Sequence, residues 1–186
     1  MSDPASETAP EVLDFSLKDG RAYVRATDVL AAVLARWPDT ALTLRFLRPL
    51  DGPAVLIHPP LPGAGITGRA GDVAFSLTRE ASHVPQEEME DPVKVLHLGG
   101  KALHLFVFAP ATPLAARIGA IFERVHPRQA DRFLVRKIVL YPGQCRTART
   151  LWFRLRTHPR QARAALTLHS RFGVLAEIDF RLVPRG

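Results

Sequence analysis

The segments 132–141, 149–156, 162–169 and 174–182 each read as a strand, separated by short stretches rich in turn formers. The last is the cleanest. In VLAEIDFRL, Ala176, Ile178, Phe180 and Leu182 fall on one face, and Glu177, Asp179 and Arg181 fall on the other. A period of two over that length describes a strand with one face buried and one wet. A run of such strands forms an antiparallel sheet, and its apolar face needs a helix to cover it.

A helix precedes the run. ATPLAARIGAIFERVHP has Thr112 as an N-cap, Pro113 at the first helical position and Pro127 beyond the end, with Leu114, Ile118, Ile121, Phe122 and Val125 on one face. Before it, VKVLHL and ALHLFVF read as a hairpin around Gly99-Gly100. The first half of the chain has a similar order. VLDFSLKDGRAYVR predicts a hairpin turning at Asp19-Gly20. ATDVLAAVLARW predicts a helix capped by Thr27 or Asp28 and ended by Pro38 and Asp39, and ALTLRFL, PAVLIH and DVAFSLTRE predict strands. The expected class is therefore α+β, with an internally duplicated unit of hairpin, helix and strands. Residues 1–10 read as a loose tail, 11–80 as the first half, 81–92 as an acidic linker and 93–182 as the second half. The last five residues, LVPRG, match a thrombin recognition sequence and would belong to an appended tail.

Charge divides the chain unevenly. Residues 1–116 hold 10 basic and 14 acidic side chains, a net of −4; residues 117–186 hold 15 and 4, a net of +11. The asymmetry points the C-terminal half toward an anionic partner: a phosphate-bearing ligand, an acidic protein or nucleic acid. One cysteine, Cys145, rules out an intrachain disulfide and a thiolate zinc cluster, and suits a cytoplasmic setting. No apolar run approaches membrane-spanning length, and the acidic start lacks the features of a secretory signal.

The stretch RKIVLYPGQCRTARTLWFRLRTHPRQARAALTLHSRFGVLAEIDFRLVP resembles the C-terminal half of hot-dog-fold acyl-thioester proteins, in particular the β-hydroxyacyl-carrier-protein dehydratases. LRFLRPLDGPAVL is a weaker echo in the first half. The resemblance implies an antiparallel sheet wrapped around a long helix. It also implies an acyl thioester as ligand, an acidic acyl carrier protein as partner, and a homodimer. The dehydratases place a histidine on the loop before the central helix and an acidic residue on that helix, for general acid–base chemistry. Here the corresponding loops, Ala109–Pro113 and Arg25–Thr27, contain no histidine. The resemblance thus implies binding more readily than turnover, with dehydratase or thioesterase activity as the alternative and no cofactor.

Residues 63–68 spell G-x-G-x-x-G after the apolar run Ala54–Ile57. A dinucleotide fingerprint needs its glycines to open a helix, so that the pyrophosphate meets the helix N-terminus. Here an alternating strand follows, and the stretch reads instead as a flexible loop, suited to a lid or pocket rim. The seven histidines, His58, His83, His97, His104, His126, His158 and His169, show no metal-ligand spacing. His58, at a strand end with Asp72 downstream, is the candidate acid–base residue, and His97 and His104 flank the second hairpin turn. Arg136, Lys137, Trp152, Arg154 and Arg156 are the candidate ligand-binding residues. Alternation puts Trp152, Arg154 and Arg156 on one strand face, where arginines hold phosphates and an aromatic ring stacks on a base. No nucleic-acid-binding motif accompanies them.

Overall fold

Alternating burial assembles one sheet from both halves of the chain. The computed structural model describes residues 10–18, 22–80, 87–88, 95–99, 104–125, 133–158 and 162–183. The N-terminal tail to residue 9, the Asp19-Gly20 turn, most of the acidic linker, Gly100, His83, His126 and the last three residues lie outside the described residues. In the first half, β1 (Glu11–Leu13) and β2 (Leu17–Lys18) precede α1 (Ala26–Arg36). After it come β3 (Leu42–Phe46), β4 (Ala54–Ile57), β5 (Ile66–Ala70) and β6 (Val73–Arg79). A short β7 (Glu87–Glu88) is followed by β8 (Val95–Gly99), β9 (His104–Phe108) and α2 (Leu114–Val125). The chain then forms β10 (Phe133–Leu140), β11 (Thr150–His158), β12 (Arg163–Ser170) and β13 (Gly173–Leu182).

Eleven strands form a single antiparallel sheet, ordered β1-β4-β6-β5-β3-β10-β13-β12-β11-β9-β8, and β2 pairs with β7 separately. The halves meet at β3 and β10. Leu42 lies opposite Leu140 and Leu44 opposite Ile138, all buried, while Thr43 faces Val139 and Arg45 faces Lys137 on the other side. Both helices sit on the apolar face and pack against each other, and the buried residues of both halves form one core. At the helix crossing, a Cβ on Gly119 of α2 would stand 3.7 Å from the Thr27 methyl of α1.

Each half therefore reads helix, then four antiparallel strands, and the α+β class holds. In place of one long helix the sheet carries two shorter ones: α1 has 11 residues and α2 has 12. The halves also differ in connection. In the second, β11, β12 and β13 run as a meander closed by β10; in the first, β6 rather than β5 lies beside β4. Residues 58–65 must therefore cross the position of β6 before entering β5, which explains a long connection there.

Three sequence expectations change. β1 pairs with β4 and β2 with β7, so the hairpin over 12–25 is not made; the Val24 amide instead bonds to Leu50 O at 2.7 Å. Helix α1 begins at Ala26 with Arg25 as N-cap and no side-chain cap, because Thr27 and Asp28 lie inside the first turn. Asp28 there suits the helix dipole. Finally, the Gly-rich stretch is not all loop: Ile66–Ala70 is a strand between β3 and β6, with Ile66 and Ala70 buried. Gly71, at φ +56°, makes its turn into β6.

Candidate functional site

Pairing between β3 and β10 stops at the Arg45–Lys137 rung. Beyond it, Phe46–Leu50 and Leu134–Arg136 go separate ways, and the β10 ladder is bulged between Val135 and Lys137. Bulges re-aim side chains, and this one releases Arg136 from the ladder. The gap opens into a cavity of about 680 Å³. Its walls come from Tyr23–Thr27 at the start of α1, Gly119, Phe122 and Glu123 of α2, and Leu155, Leu166 and Phe180 of the sheet. Phe122 meets Phe180 edge to face, with ring centres 5.4 Å apart.

The buried part of the lining is mostly apolar, and four of its arginines are exposed while Arg25 is largely buried. Arg25, Arg48, Arg136, Arg163 and Arg181 all contribute, against one carboxylate among the described lining residues, Glu123. Arg25 reaches Glu123 at 3.6 Å across the two helices. Arg163 and Arg181 lie directly opposite each other on β12 and β13, both exposed. Like charges so placed repel, and a bound anion would offset that.

Of the residues expected to bind ligand, Arg136 lines this cavity. Lys137, Trp152, Arg154 and Arg156 lie on the opposite face of the sheet, since their neighbours Ile138, Leu151 and Leu155 turn toward the core. Trp152 there stacks on His169, its cross-strand partner, at 6.0 Å. His58 is half-buried beside Trp37 and Phe75, and its Nδ1 bonds to Ala74 O at 3.0 Å. Asp72 is exposed in the β5–β6 turn, and among the described residues no hydrogen bond joins it to His58. Neither residue lines the cavity. His97 pairs with Phe106 and His104 with Gly99, so the two histidines are not opposite each other; His104 stacks on Phe153.

Several arginines behind the positive charge of the C-terminal half are committed internally. Buried Arg146 donates to the carbonyls of Tyr141, Pro38 and Thr40, clamping the α1–β3 connection to the loop after β10. Buried Arg117 donates to Ala148 O at 2.6 Å and Thr112 O at 3.0 Å, and Arg149 donates to Phe108 O. Burial holds the Arg117 and Arg146 guanidinium groups below their ordinary pKa; for Arg146 the charges of Cys145 and Asp39 act the other way. Cys145 is buried in a short 3-10 turn over Gln144–Thr147.

Sequence reasoning missed Tyr23, Arg25, Arg48, Glu123, Arg163 and Arg181 as cavity residues. Of these, only the Arg163–Arg181 pairing had a signal, in the register of two well-marked strands. Among the described residues no cluster of His, Cys, Asp or Glu could hold a metal ion, and no helix is long and apolar enough to cross a membrane.

A helix laid over the apolar face of an antiparallel sheet, followed by four strands, is the hot-dog arrangement. Here two such units share one continuous sheet. Solved structures agree on the fold. A tesB protein from Mycobacterium avium subsp. paratuberculosis is similar at a TM-score of 0.51, with 13% identity over 91% of each chain. A Lactobacillus plantarum protein provisionally described as an oleoyl thioesterase also reaches 0.51, with 10% identity over 95% of this chain and 96% of that one. No protein-family model matches the chain, and no curated protein matches it.

Proposed function

We propose that the chain is a non-catalytic binding protein for an acyl thioester. The acyl portion would occupy the cavity between the halves, and the phosphate-bearing portion would meet the arginine rim. The observation that carries this reading is the division of the cavity into an apolar interior and five arginines with a single carboxylate. Its volume lies within the range of about 300–1,000 Å³ common to small-molecule sites. Arg163 and Arg181, with Arg136 nearby, would hold the phosphate through paired N–H donors. An acidic acyl carrier protein would suit the same rim when it delivers the thioester. The outer row Trp152, Arg154 and Arg156 would give such a partner, or a nucleic acid, a second contact.

Titration with acyl-CoA of increasing chain length tests this. Affinity should rise with each added methylene by up to about 0.8 kcal/mol until the cavity is full, and should fall in Arg163→Gln. Binding that ignores the acyl chain and collapses with salt would favour nucleic acid instead. Glu123, exposed at the cavity wall and paired with Arg25, is the carboxylate that a second reading, a thioesterase or dehydratase, would use as general base. Release of free thiol from acyl-CoA, lost in Glu123→Gln, would establish that reading over binding alone.

A further inference from the structure

We propose that the outer face of the seam between the two halves binds a phosphate or diphosphate group through Arg45, Arg69 and Lys137. This goes beyond the cavity reading and uses the opposite face of the sheet. Arg45 and Lys137 form the last rung joining β3 to β10. On its other side Arg45 faces Thr67, while Thr43 faces Arg69. These five residues, with Gly68, line one groove of about 400 Å³. Leu44 and Ile138, next along the same strands, are fully buried in the core, so the groove looks away from both helices.

Two observations make this more than a wet strand face. First, among the described residues no carboxylate comes within salt-bridge distance of the three cations, although Arg36–Glu11, Arg79–Asp51 and Arg25–Glu123 are paired elsewhere. Asp179 lies directly opposite Lys137 on β13, yet the two form no ion pair within 4.0 Å. Second, the repulsion falls on the strand pair that joins the halves, where like charges directly opposite destabilise. A ligand that only accepts hydrogen bonds and carries more than one negative charge would answer both. Guanidinium forks match phosphate oxygens in pairs, Lys137 adds a point charge, and two threonine hydroxyls add donors. Whatever binds there ties β5, β3 and β10 together across the seam, so binding should register as stability of the whole chain.

The experiment is thermal unfolding of the full chain against inorganic pyrophosphate and, separately, ADP, with sodium chloride at matched ionic strength. Pyrophosphate should raise Tm saturably, by about 3–6 °C at ten times its Kd, and chloride should not. Arg45→Glu places a carboxylate opposite Lys137; it should unfold at a higher temperature than the parent and lose the response. Lys137→Met should lose most of it; both variants are made with Arg163→Gln as the parent, so that anion held at the cavity rim does not register. Equal responses to pyrophosphate and ADP would support recognition of the phosphate groups alone; a larger response to ADP would support a nucleotide carrying them. No saturable response in the Arg163→Gln parent would overturn the proposal, as would one there that survives Arg45→Glu and Lys137→Met. Failure of acyl-CoA to bind the cavity would leave this result untouched.

Discussion

The ring of Phe75 lies across Gly68, its cross-strand partner, so closely that a Cβ on Gly68 would stand 2.2 Å from the ring's Cζ. Phe75 is fully buried and stacks on Trp37 at 5.0 Å, which leaves the ring little room to yield. The third glycine of an apparent dinucleotide fingerprint is thus a packing glycine. Gly68→Ala should destabilise the chain by about 1–3 kcal/mol through overpacking, read as a lower denaturant midpoint with an unchanged slope.

Arg146 satisfies three backbone carbonyls from two separate loops with one guanidinium. A lysine ammonium cannot serve that fork geometry. Arg146→Lys should cost about 2–3 kcal/mol, the scale of one charge-assisted hydrogen bond and the carbonyls left unmet. Hydrogen exchange should quicken at residues 38–42 and 141–148 together.

Desolvation, the Glu177 charge and a hydrogen bond to Glu177 raise the pKa of the Tyr141 phenol above 10.0. The folded state then holds that proton more tightly than the unfolded chain. The stability it contributes is complete below pH 10 and is lost as pH rises through the folded pKa. Glu177→Gln removes the charge but not the desolvation. Ultraviolet titration should therefore show the phenol moving part of the way back.

Arg163 and Arg181 repel each other when the cavity is empty and would both hold an anion when it is full. Arg163→Gln should therefore stabilise the free chain by about 0.2–1 kcal/mol while weakening acyl-CoA binding. Unfolding with and without ligand measures both signs in one experiment.

The strands β10 to β13 were legible because Ile178, Leu166 and Leu155 alternate with polar neighbours, and alternation depends only on which face meets water. Helix α2 was legible from Thr112, Pro113 and its apolar stripe. β5 was not, because Gly68 gives no side chain to read; only the Phe75 ring on the next strand reveals that the position faces the core. Likewise, Glu11–Leu13 pairs with Ala54–Ile57 more than forty residues away, and no local pattern encodes that partner.

Local chemistry thus determined the element types, the α+β class and the inner and outer face of each well-marked strand. The tertiary structure alone decided that two units share a sheet through β3 and β10, and that the two halves connect their strands differently. It also decided which arginines serve a site. Arg146 and Arg163 look alike in sequence, yet one is buried on three carbonyls and the other stands at a cavity rim opposite Arg181. A side chain's partners come from strands and loops brought together by long-range pairing, so its sequence neighbours do not reveal its role.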